Sequence, residues 1–341
     1  MTAGQPARSI GRRVRARAVV AASWLACRLP ERPLLALADL AGDLAYRLAP
    51  ERRHRARRNL ARIAGWLAEH DMGTPEARAA ARDGRALTRL VHDAFRHSAR
   101  YYVQFARTPM VDAAYLERRL VIADRENVEA LLTSPGGKLF VGLHFGRYEL
   151  PALIAVALTG RPAIVPSETL ADADLQAYMV STREALGLRL IGLAEARRML
   201  AQALRDGETV GLLGDRDITG GGIDTELFGA RARLPAGPAL LALETGVTPN
   251  VFGVWRDAAG VYQGSMEVVP LPADGTRRER VNAFLAAEAR VFERHIAAAP
   301  AQWLAVFHPI WPDLEAAADR PSPTTGRAPA GGPEPAGEVG Q

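Results

Sequence analysis

The apolar positions of this chain follow two different patterns, and the change between them falls near residue 120. Residues 11–107 place apolar side chains at helical spacing, most regularly over residues 34–48 and 94–105. Turn-forming residues interrupt this pattern at Pro30, Pro33, Pro50 and residues 71–75. The first part of the chain is therefore predicted to consist of helices that are joined as hairpins.

Beyond residue 120, short apolar runs alternate with amphipathic segments of helical period. The predicted strands are residues 139–143, 163–166, 189–191, 209–213, 251–255 and 265–269. The predicted helices are residues 149–158, 173–186, 194–205, 236–244 and 277–298. Such alternation is typical of an α/β fold. We expect a central mixed, mainly parallel sheet that is flanked by helices.

These patterns predict four segments along the chain. Residues 11–119 form an N-terminal helical region, which we expect to associate with a membrane, and residues 120–313 form the α/β core. Residues 1–10 are predicted to be disordered. Residues 314–341 are rich in Pro, Ala, Gly, Ser and Thr and have no apolar periodicity, so a disordered tail is predicted there as well.

The composition narrows the possible partners. The chain has 341 residues, a hydrophobic content of 48% that suffices for a sizeable core, and a net charge of +5. Arginines cluster at residues 12–17 and 51–62, and such clusters attract the phosphates of nucleic acids or anionic lipids. Because no nucleic-acid-binding motif accompanies the charge, we favour a membrane surface. The single cysteine, Cys27, excludes an internal disulfide framework and a cysteine-rich metal site.

The N-terminal sequence resembles the start of a signal peptide, but its details favour another interpretation. The uncharged run at residues 18–27 has ten residues, whereas a transmembrane helix needs about 20. No convincing cleavage site follows, because Arg28, Leu29 and Pro30 come next. We expect an amphipathic helix that lies on a membrane and places Trp24 in the interface beside its neighbour, Leu25.

The strongest candidate for chemistry is the sequence KLFVGLHFGRYEL, at residues 138–150. A buried apolar strand ends there at His144, and Glu149 follows five residues later, at the start of a helix. A strand end fixes a histidine rigidly, and the first turn of a helix favours a carboxylate. Gly146 provides the freedom that the chain needs to turn back. The alternative is a histidine and a glutamate that are unrelated.

Polar residues also follow the predicted strand at residues 209–213, namely Asp215, Arg216 and Asp217. Residues just after strand ends line the ligand crevice of open α/β sheets. The fork of Arg216 suits a phosphate, unless it pairs with the flanking aspartates. The two aspartates lack further metal ligands, so no metal is expected. Two further arginines are candidates for phosphate contact, Arg147 and Arg183.

Three separate segments together carry a family resemblance. They are KLFVGLHFGRYEL, GLLGDRDITGGGIDTELFGARARLPAGPALLALETG at residues 211–246, and AQWLAVFHPIW at residues 301–311. In order and spacing they resemble the bacterial acyltransferases of lipid A biosynthesis, and more closely the actinobacterial phosphatidylinositol mannoside acyltransferases. The likeness extends over roughly residues 14–311.

The resemblance implies a peripheral membrane enzyme on the cytoplasmic face of the plasma (inner) membrane. It would transfer a fatty acyl group, expected to be palmitoyl, from acyl-CoA to a mannose hydroxyl of phosphatidylinositol mannoside, without a cofactor. His144 would be the general base that deprotonates the hydroxyl. No covalent intermediate is expected, because no nucleophile-elbow serine is present and Cys27 lies far from the motif.

The sequence leaves several alternatives open. The family motif supplies Glu149 as the acid that orients His144, and the segment around Glu226 resembles one that supplies an active-site acid in the mannoside branch. The alternative acceptors are another glycolipid, lipid A or a lysophospholipid. An alternative from a different class is a non-catalytic lipid-binding protein that has kept the fold, although the intact motif at His144 and Glu149 argues against it.

Overall fold

The computed structural model describes residues 10–167, 172–193, 195–218 and 220–318. Disorder was predicted for residues 1–10 and 314–341. Of these, residues 1–9 and 319–341 lie outside the described residues. The helices before the sheet are α1 (Ile10–Arg28), α2 (Glu31–Leu48), α3 (Pro50–Glu69), α4 (Pro75–Ala79), α5 (Gly84–Ala106) and α6 (Ala113–Arg119).

The helix boundaries follow from local chemistry. Pro50 occupies the first position of α3, where a missing N–H has no cost. Thr74 and Asp83 accept backbone N–H groups at the starts of α4 and α5. The helical hairpins predicted for this region are thus confirmed, and prolines and capping side chains explain where each helix begins. No helix within the described ranges is long and apolar enough to cross a membrane.

The remaining elements alternate as predicted. The strands are β1 (Leu120–Ile122), β2 (Lys138–Gly142), β3 (Ala163–Ser167), β4 (Leu188–Gly192), β5 (Thr209–Leu213), β6 (Ile223–Leu227), β7 (Ala230–Leu234), β8 (Pro249–Arg256) and β9 (Tyr262–Val268). The helices are α7 (Arg125–Thr133), α8 (Leu150–Thr159), α9 (Ala173–Glu184), α10 (Ala196–Arg205), α11 (Gly237–Thr245), α12 (Arg277–Ala298) and α13 (Pro312–Ala318).

Seven strands form one sheet in the order β1-β9-β8-β2-β5-β3-β4. All neighbouring pairs are parallel except β8 and β9, which are antiparallel. This confirms the α/β class with a mixed, mainly parallel sheet. The central strand β2 is apolar along most of its length because helices cover both faces of the sheet.

Successive residues of β2 belong to different cores. Leu139 and Val141 join the core that α10, α11 and α12 build on one face, whereas Phe140 joins the core beneath α7 and α8 on the other. The first of these cores also includes Leu60 of α3 and Phe95 of α5. The N-terminal helices therefore pack directly on the α/β part of the chain. The predicted boundary between the helical region and the α/β core, after residue 119, coincides with the end of α6. That it separates two domains stays a prediction.

Part of the second basic cluster, at residues 51–62, forms ion pairs with acids of the same chain. Arg55 and Arg58 of α3 pair with Glu315 of α13, and Arg62 pairs with Asp313. These arginines join α3 to the end of the described chain. The disordered tail was predicted to begin at residue 314. The structure corrects this start, because α13 continues to Ala318.

The hairpin of β6 and β7 was not predicted from the sequence. It forms a separate two-stranded antiparallel sheet whose turn, Phe228-Gly229, has positive φ at both residues (50° and 69°). Turns of this kind match the twist of the flanking strands. The signal was present as apolar and polar alternation on either side of this Phe-Gly pair. The short elements β1 and α7 were also missed, whereas α6 lies within the helical region predicted for residues 11–119.

Candidate active site

The register of β2 and β5 brings the two candidate motifs together. The strands are parallel neighbours, and Gly142 at the end of β2 lies opposite Leu213 at the end of β5. His144 and Asp215 each follow two residues later. They therefore leave the sheet side by side at its carboxyl edge, where α/β proteins form their ligand crevices.

Asp215 holds both the ring and the backbone of His144. Its Oδ1 atom is 2.7 Å from the histidine Nδ1, and its Oδ2 atom accepts the backbone N–H of His144 at 2.9 Å. Trp303 donates its indole N–H to the same Oδ2 atom at 2.7 Å. The aspartate side chain has no exposed surface, whereas 15% of the His144 side chain is exposed. The carboxylate is thus fixed by three donors, and the imidazole reaches toward solvent.

The electrostatics favour an ionised Asp215. Burial by itself raises the pKa of a carboxyl group, but the charge of His144 and the hydrogen bonds from His144 and Trp303 outweigh it, so the pKa of Asp215 is lowered. An ionised carboxylate can only accept hydrogen bonds, so Nδ1 carries the proton and donates it in a hydrogen bond to Asp215. The histidine Nε2 is then left unprotonated in the neutral ring, and this arrangement is that of a general base with its orienting acid.

The chain around His144 is clamped by two neighbours in space. Phe145 forms a bridge with Trp303, and Gly146 forms one with Val254 of β8. Gly146 has a φ of +56°, and a Cβ at this position would lie 2.0 Å from the carbonyl oxygen of Val254. Only glycine fits here, so Gly146 provides both the turn and the close approach.

Glu149, the acid that the resemblance supplies, makes its hydrogen bond to Tyr101, and its place in the active site remains a prediction. It immediately precedes α8, and its carboxylate accepts a hydrogen bond from the Tyr101 hydroxyl at 2.6 Å. The hydroxyl of Tyr101 is also hydrogen-bonded to that of Tyr148, whose ring packs edge-on to His144 with the centroids 5.2 Å apart. Glu149 thus reaches the histidine through two tyrosines, and the atom that contacts Nδ1 belongs to Asp215.

Glu226 lies on the β6–β7 hairpin, with 61% of its side chain exposed. Its carboxylate accepts a hydrogen bond from Arg290 of α12 at 2.7 Å. Its predicted place in the active site remains a prediction, and the contact that the structure gives it is this ion pair.

The arginine candidates differ in accessibility. Arg147 is only 3% exposed and donates to the Tyr115 hydroxyl and the Gln104 carbonyl, so its guanidinium is used inside the fold. Arg183 lies over the ring of Phe105 at 4.5 Å. Arg216 is partly exposed beside Asp215, and no hydrogen bond or ion pair engages it within the described residues. Arg183 is partly exposed as well, and contact of any of the three arginines with a ligand stays a prediction.

Asp217 shapes the loop that follows β5. Its carboxylate accepts the backbone N–H groups of Gly220 and Gly222, both at 2.8 Å. Hydrogen bonds of this kind fold a glycine-rich segment back on itself. The placement supports a role in loop structure, and the predicted contact of Asp217 with substrate stays untested.

Positive charge lies near the dyad formed by His144 and Asp215, on the side of His308. Burial is the main cause that lowers the pKa of His308 to about 4, and the positive charges of Arg216, Arg52 and Arg55 act in the same direction. His308 is therefore neutral at physiological pH, and the arginines around it supply the local charge. Arg52 lies over the ring of Phe307 at 4.0 Å. This group of cations suits a phosphate-bearing ligand.

Sequence reasoning assigned Asp215 to substrate binding and missed its contact with His144. The register of neighbouring strands carries that contact, and a single sequence does not reveal which strands are neighbours. Trp303, Tyr101 and Tyr148 were missed as well. Trp303 lies in the segment at residues 301–311 that carries part of the family resemblance, but nothing in the sequence linked its indole to Asp215.

Comparison with known proteins gives a consistent picture. The sequence model described as "Bacterial lipid A biosynthesis acyltransferase" matches residues 1–312. A phosphatidylinositol mannoside acyltransferase of Mycobacterium tuberculosis H37Rv is 30% identical over 299 residues, which are 85% of this chain and 87% of that protein. The protein of the same name in Mycolicibacterium smegmatis is 30% identical over 226 residues, or 65% of this chain and 72% of that protein.

Proposed function

Because the chain belongs to the bacterial lipid A biosynthesis acyltransferase family, we propose that it transfers a palmitoyl group from acyl-CoA to a mannose hydroxyl of phosphatidylinositol mannoside. Membership of the family makes it an acyltransferase with an acyl donor and a lipid acceptor. The donor, the acceptor and the roles of the residues are the proposal. The observation that carries it is the hydrogen bond between His144 and Asp215 at the carboxyl edge of the sheet.

In the proposed reaction, His144 removes the proton from the acceptor hydroxyl as the oxygen attacks the thioester carbonyl. The new carbon–oxygen bond forms, and the carbon–sulfur bond then breaks. The thiolate of coenzyme A leaves and takes the proton from the imidazolium. Asp215 holds the tautomer and stabilises the imidazolium while it exists. A thiolate is a good leaving group, so a direct attack in a ternary complex needs no covalent enzyme intermediate.

Two lines of support point to the substrates. Both relatives carry the name phosphatidylinositol mannoside acyltransferase. Arg216 and Arg52 add positive charge near the dyad, and both proposed substrates contain phosphate. These arginines suit the phosphates of coenzyme A and the phosphodiester of the acceptor equally well.

We propose that α1 and α2 hold the enzyme on the cytoplasmic face of the membrane. One face of α2 exposes four leucines, each with more than half of its surface accessible: Leu37, Leu40, Leu44 and Leu48. In α1, Trp24 and Leu25 are exposed, and the guanidinium of Arg28 lies over the Trp24 ring at 3.6 Å. Exposed apolar side chains beside arginines suit a peripheral position on anionic lipid.

The membrane proposal is tested by sedimentation with anionic lipid vesicles. The double variant Leu40→Glu/Leu44→Glu is expected to stay largely in the supernatant, whereas the wild-type protein sediments. Val268→Glu, which adds a charge at another exposed apolar position on β9, is the matched control and should sediment like wild type. Equal binding of the double variant would contradict the proposal.

The function is tested by the transfer of radiolabelled palmitoyl from palmitoyl-CoA to purified phosphatidylinositol mannoside. We expect transfer by the wild-type protein and none above background by a folded His144→Ala variant. His54→Ala, a change at an exposed histidine of α3, is the control and should retain full activity. Activity in the His144→Ala variant would overturn the mechanism.

Two alternatives have their own outcomes in the same experiment. Hydrolysis of palmitoyl-CoA that depends on His144, without transfer to the mannoside, would indicate another glycolipid or a lysophospholipid as acceptor. Neither transfer nor hydrolysis by a folded protein would favour a lipid-binding protein without catalysis.

A further inference from the structure

The helix α12 carries a carboxylic acid that the proposed mechanism leaves unused. Glu288 has an exposed fraction of 0%, and neither of its carboxyl oxygens has a hydrogen-bond partner within the part of the chain that the structure describes. Buried polar groups without partners are rare in native interiors because they destabilise the fold. The retention of such a group therefore calls for a functional explanation.

The position of Glu288 suggests that explanation. Gly214 lies between β5 and Asp215, and a Cβ at this glycine would be 3.4 Å from the Oε1 atom of Glu288 and 2.8 Å from Val141. The Gly214 N–H donates to the carbonyl of Gly142 at 3.0 Å. The carboxyl group thus packs against the backbone that joins β5 to Asp215, next to the point where β2 delivers His144.

The surroundings of Glu288 favour its neutral, protonated form. Burial, and then repulsion from the Asp215 carboxylate, raise the pKa of Glu288 well above its usual range. Several other charged groups on α12 and on the elements packed against it have partners of their own: Glu226 and Glu293 pair with Arg290, Glu267 with Arg294, Glu244 with Arg197 and Arg205, and Asp224 with Arg231, while Arg256 donates to the Gly260 carbonyl. Asp215 is the charge that acts on Glu288.

We propose that Glu288 is a positioning residue that acts through Asp215: as a neutral acid it stabilises the carboxylate that holds His144. The proposal rests on the proposed function, in which His144 is the base. In a dry interior, an O–H dipole near a carboxylate stabilises the negative charge without adding another charge. An ionised acid in the same place would add a second negative charge and favour the imidazolium over the neutral base.

Two substitutions of similar size separate this role from packing. Glu288→Gln keeps a neutral group with a hydrogen-bond donor, and its kcat for palmitoyl transfer should lie within about threefold of wild type. Glu288→Leu removes the dipole, and its kcat should fall about tenfold, or about 1.4 kcal/mol, with little change in KM. The melting temperature of the leucine variant should equal or exceed that of wild type, because an apolar side chain replaces an unpartnered polar group.

The pH–rate profile gives a readout that packing would not change. Wild-type activity should decline at alkaline pH as Glu288 ionises, and the plateau of the Glu288→Gln variant should extend to higher pH. Infrared difference spectra between the two proteins should also contain the carbonyl band of a protonated carboxylic acid at neutral pH. That band does not depend on activity, so it tests the protonation of Glu288 even if the proposed substrates are wrong.

Three results would overturn the inference. The first is full activity in a folded Glu288→Leu variant. The second is an equal loss of activity in the glutamine and leucine variants. The third is the absence of the protonated-acid band at neutral pH. If instead the His144→Ala variant were fully active, the proposed function would fail, whatever the behaviour of Glu288.

Discussion

Asp215 and Glu226 are acids of the same sequence segment, eleven residues apart, and the fold places them in opposite environments. Asp215 follows a central parallel strand, is fully buried and accepts three hydrogen bonds from His144 and Trp303. Glu226 lies on a two-stranded hairpin, is mostly exposed and pairs with Arg290. The position of an acid relative to the ends of neighbouring parallel strands, and not its nearness in sequence to other motifs, thus decides which one reaches the histidine.

Glu149 lies between these two extremes. It is closest to His144 in sequence among the candidate acids, yet the structure connects it to the histidine only through the hydroxyl of Tyr101 and the ring of Tyr148. We expect its contribution to be smaller than that of Asp215 and larger than that of Glu226. The following substitutions test this order.

The largest effect is expected for Asp215→Asn. The amide keeps the size of the side chain but removes the charge and can bind the wrong tautomer of His144, so kcat should fall roughly a thousandfold or more. Steady-state kinetics of palmitoyl transfer measure the change, with circular dichroism as the check on folding. A loss of less than tenfold would show that Asp215 is not the orienting acid.

The Asp215→Asn variant also tests how the interactions of Asp215 make the stability of the protein depend on pH. The folded-state pKa of Asp215 is lowered, so its interactions stabilise the protein above the unfolded pKa and are lost as pH falls through the folded value. The free energy of unfolding should therefore decrease more steeply on acidification in wild type than in Asp215→Asn. Urea denaturation at a series of acidic pH values measures this difference, and equal slopes would contradict it.

The second effect in size is expected for Trp303→Phe. The phenyl ring retains most of the buried apolar surface but cannot donate to Asp215, so one charge-assisted hydrogen bond is lost. We expect kcat to fall roughly tenfold, which corresponds to about 1.4 kcal/mol. Trp311→Phe is the matched control, because this buried indole donates to the carbonyl of Leu227 and not to the dyad. If both variants lost the same activity at the same cost in stability, the donor to Asp215 would have no special role.

A smaller effect is expected for Tyr101→Phe. It removes the hydroxyl that joins Glu149 to Tyr148 while the stacked rings remain, so kcat should fall about threefold to fivefold. The neighbouring Tyr102 is 64% exposed, and Tyr102→Phe should leave the rate unchanged. A loss as large as that of Asp215→Asn would place Glu149 and its tyrosines at the centre of catalysis.

The smallest effect is expected for Glu226→Gln. Exposed ion pairs contribute about 0–1 kcal/mol to stability, and the carboxylate contacts Arg290 on the outside of α12. We expect kcat within about twofold of wild type and a slightly lower melting temperature. A large loss of kcat in a stable protein would indicate that Glu226 belongs to the active site, and it would contradict the expected order of Asp215, Glu149 and Glu226.

The extent of successful prediction differs between regions. The sequence predicted β5 and α12 to the residue and placed β2 within one residue, because their apolar periodicity is regular and their neighbours mark where they end. It missed the β6–β7 hairpin, whose alternation is short, and it began the tail inside α13. His144 was singled out as the candidate base from its place at a strand end and from the family resemblance, and its role stays a prediction. Its contact with Asp215 was not predicted, because pairing between β2 and β5 is a long-range property.

The sequence by itself determined the class of fold and the family, and it singled out His144 as the candidate base, because periodicity and motif order are local properties of the chain. Only the tertiary structure decided that Asp215 holds His144 and that Glu288 packs against the backbone at Gly214, next to Asp215. The physical reason is that hydrogen-bond partners and burial depend on which strands become neighbours and which helices cover them. Side chains that are distant in sequence acquire their chemistry only from that arrangement.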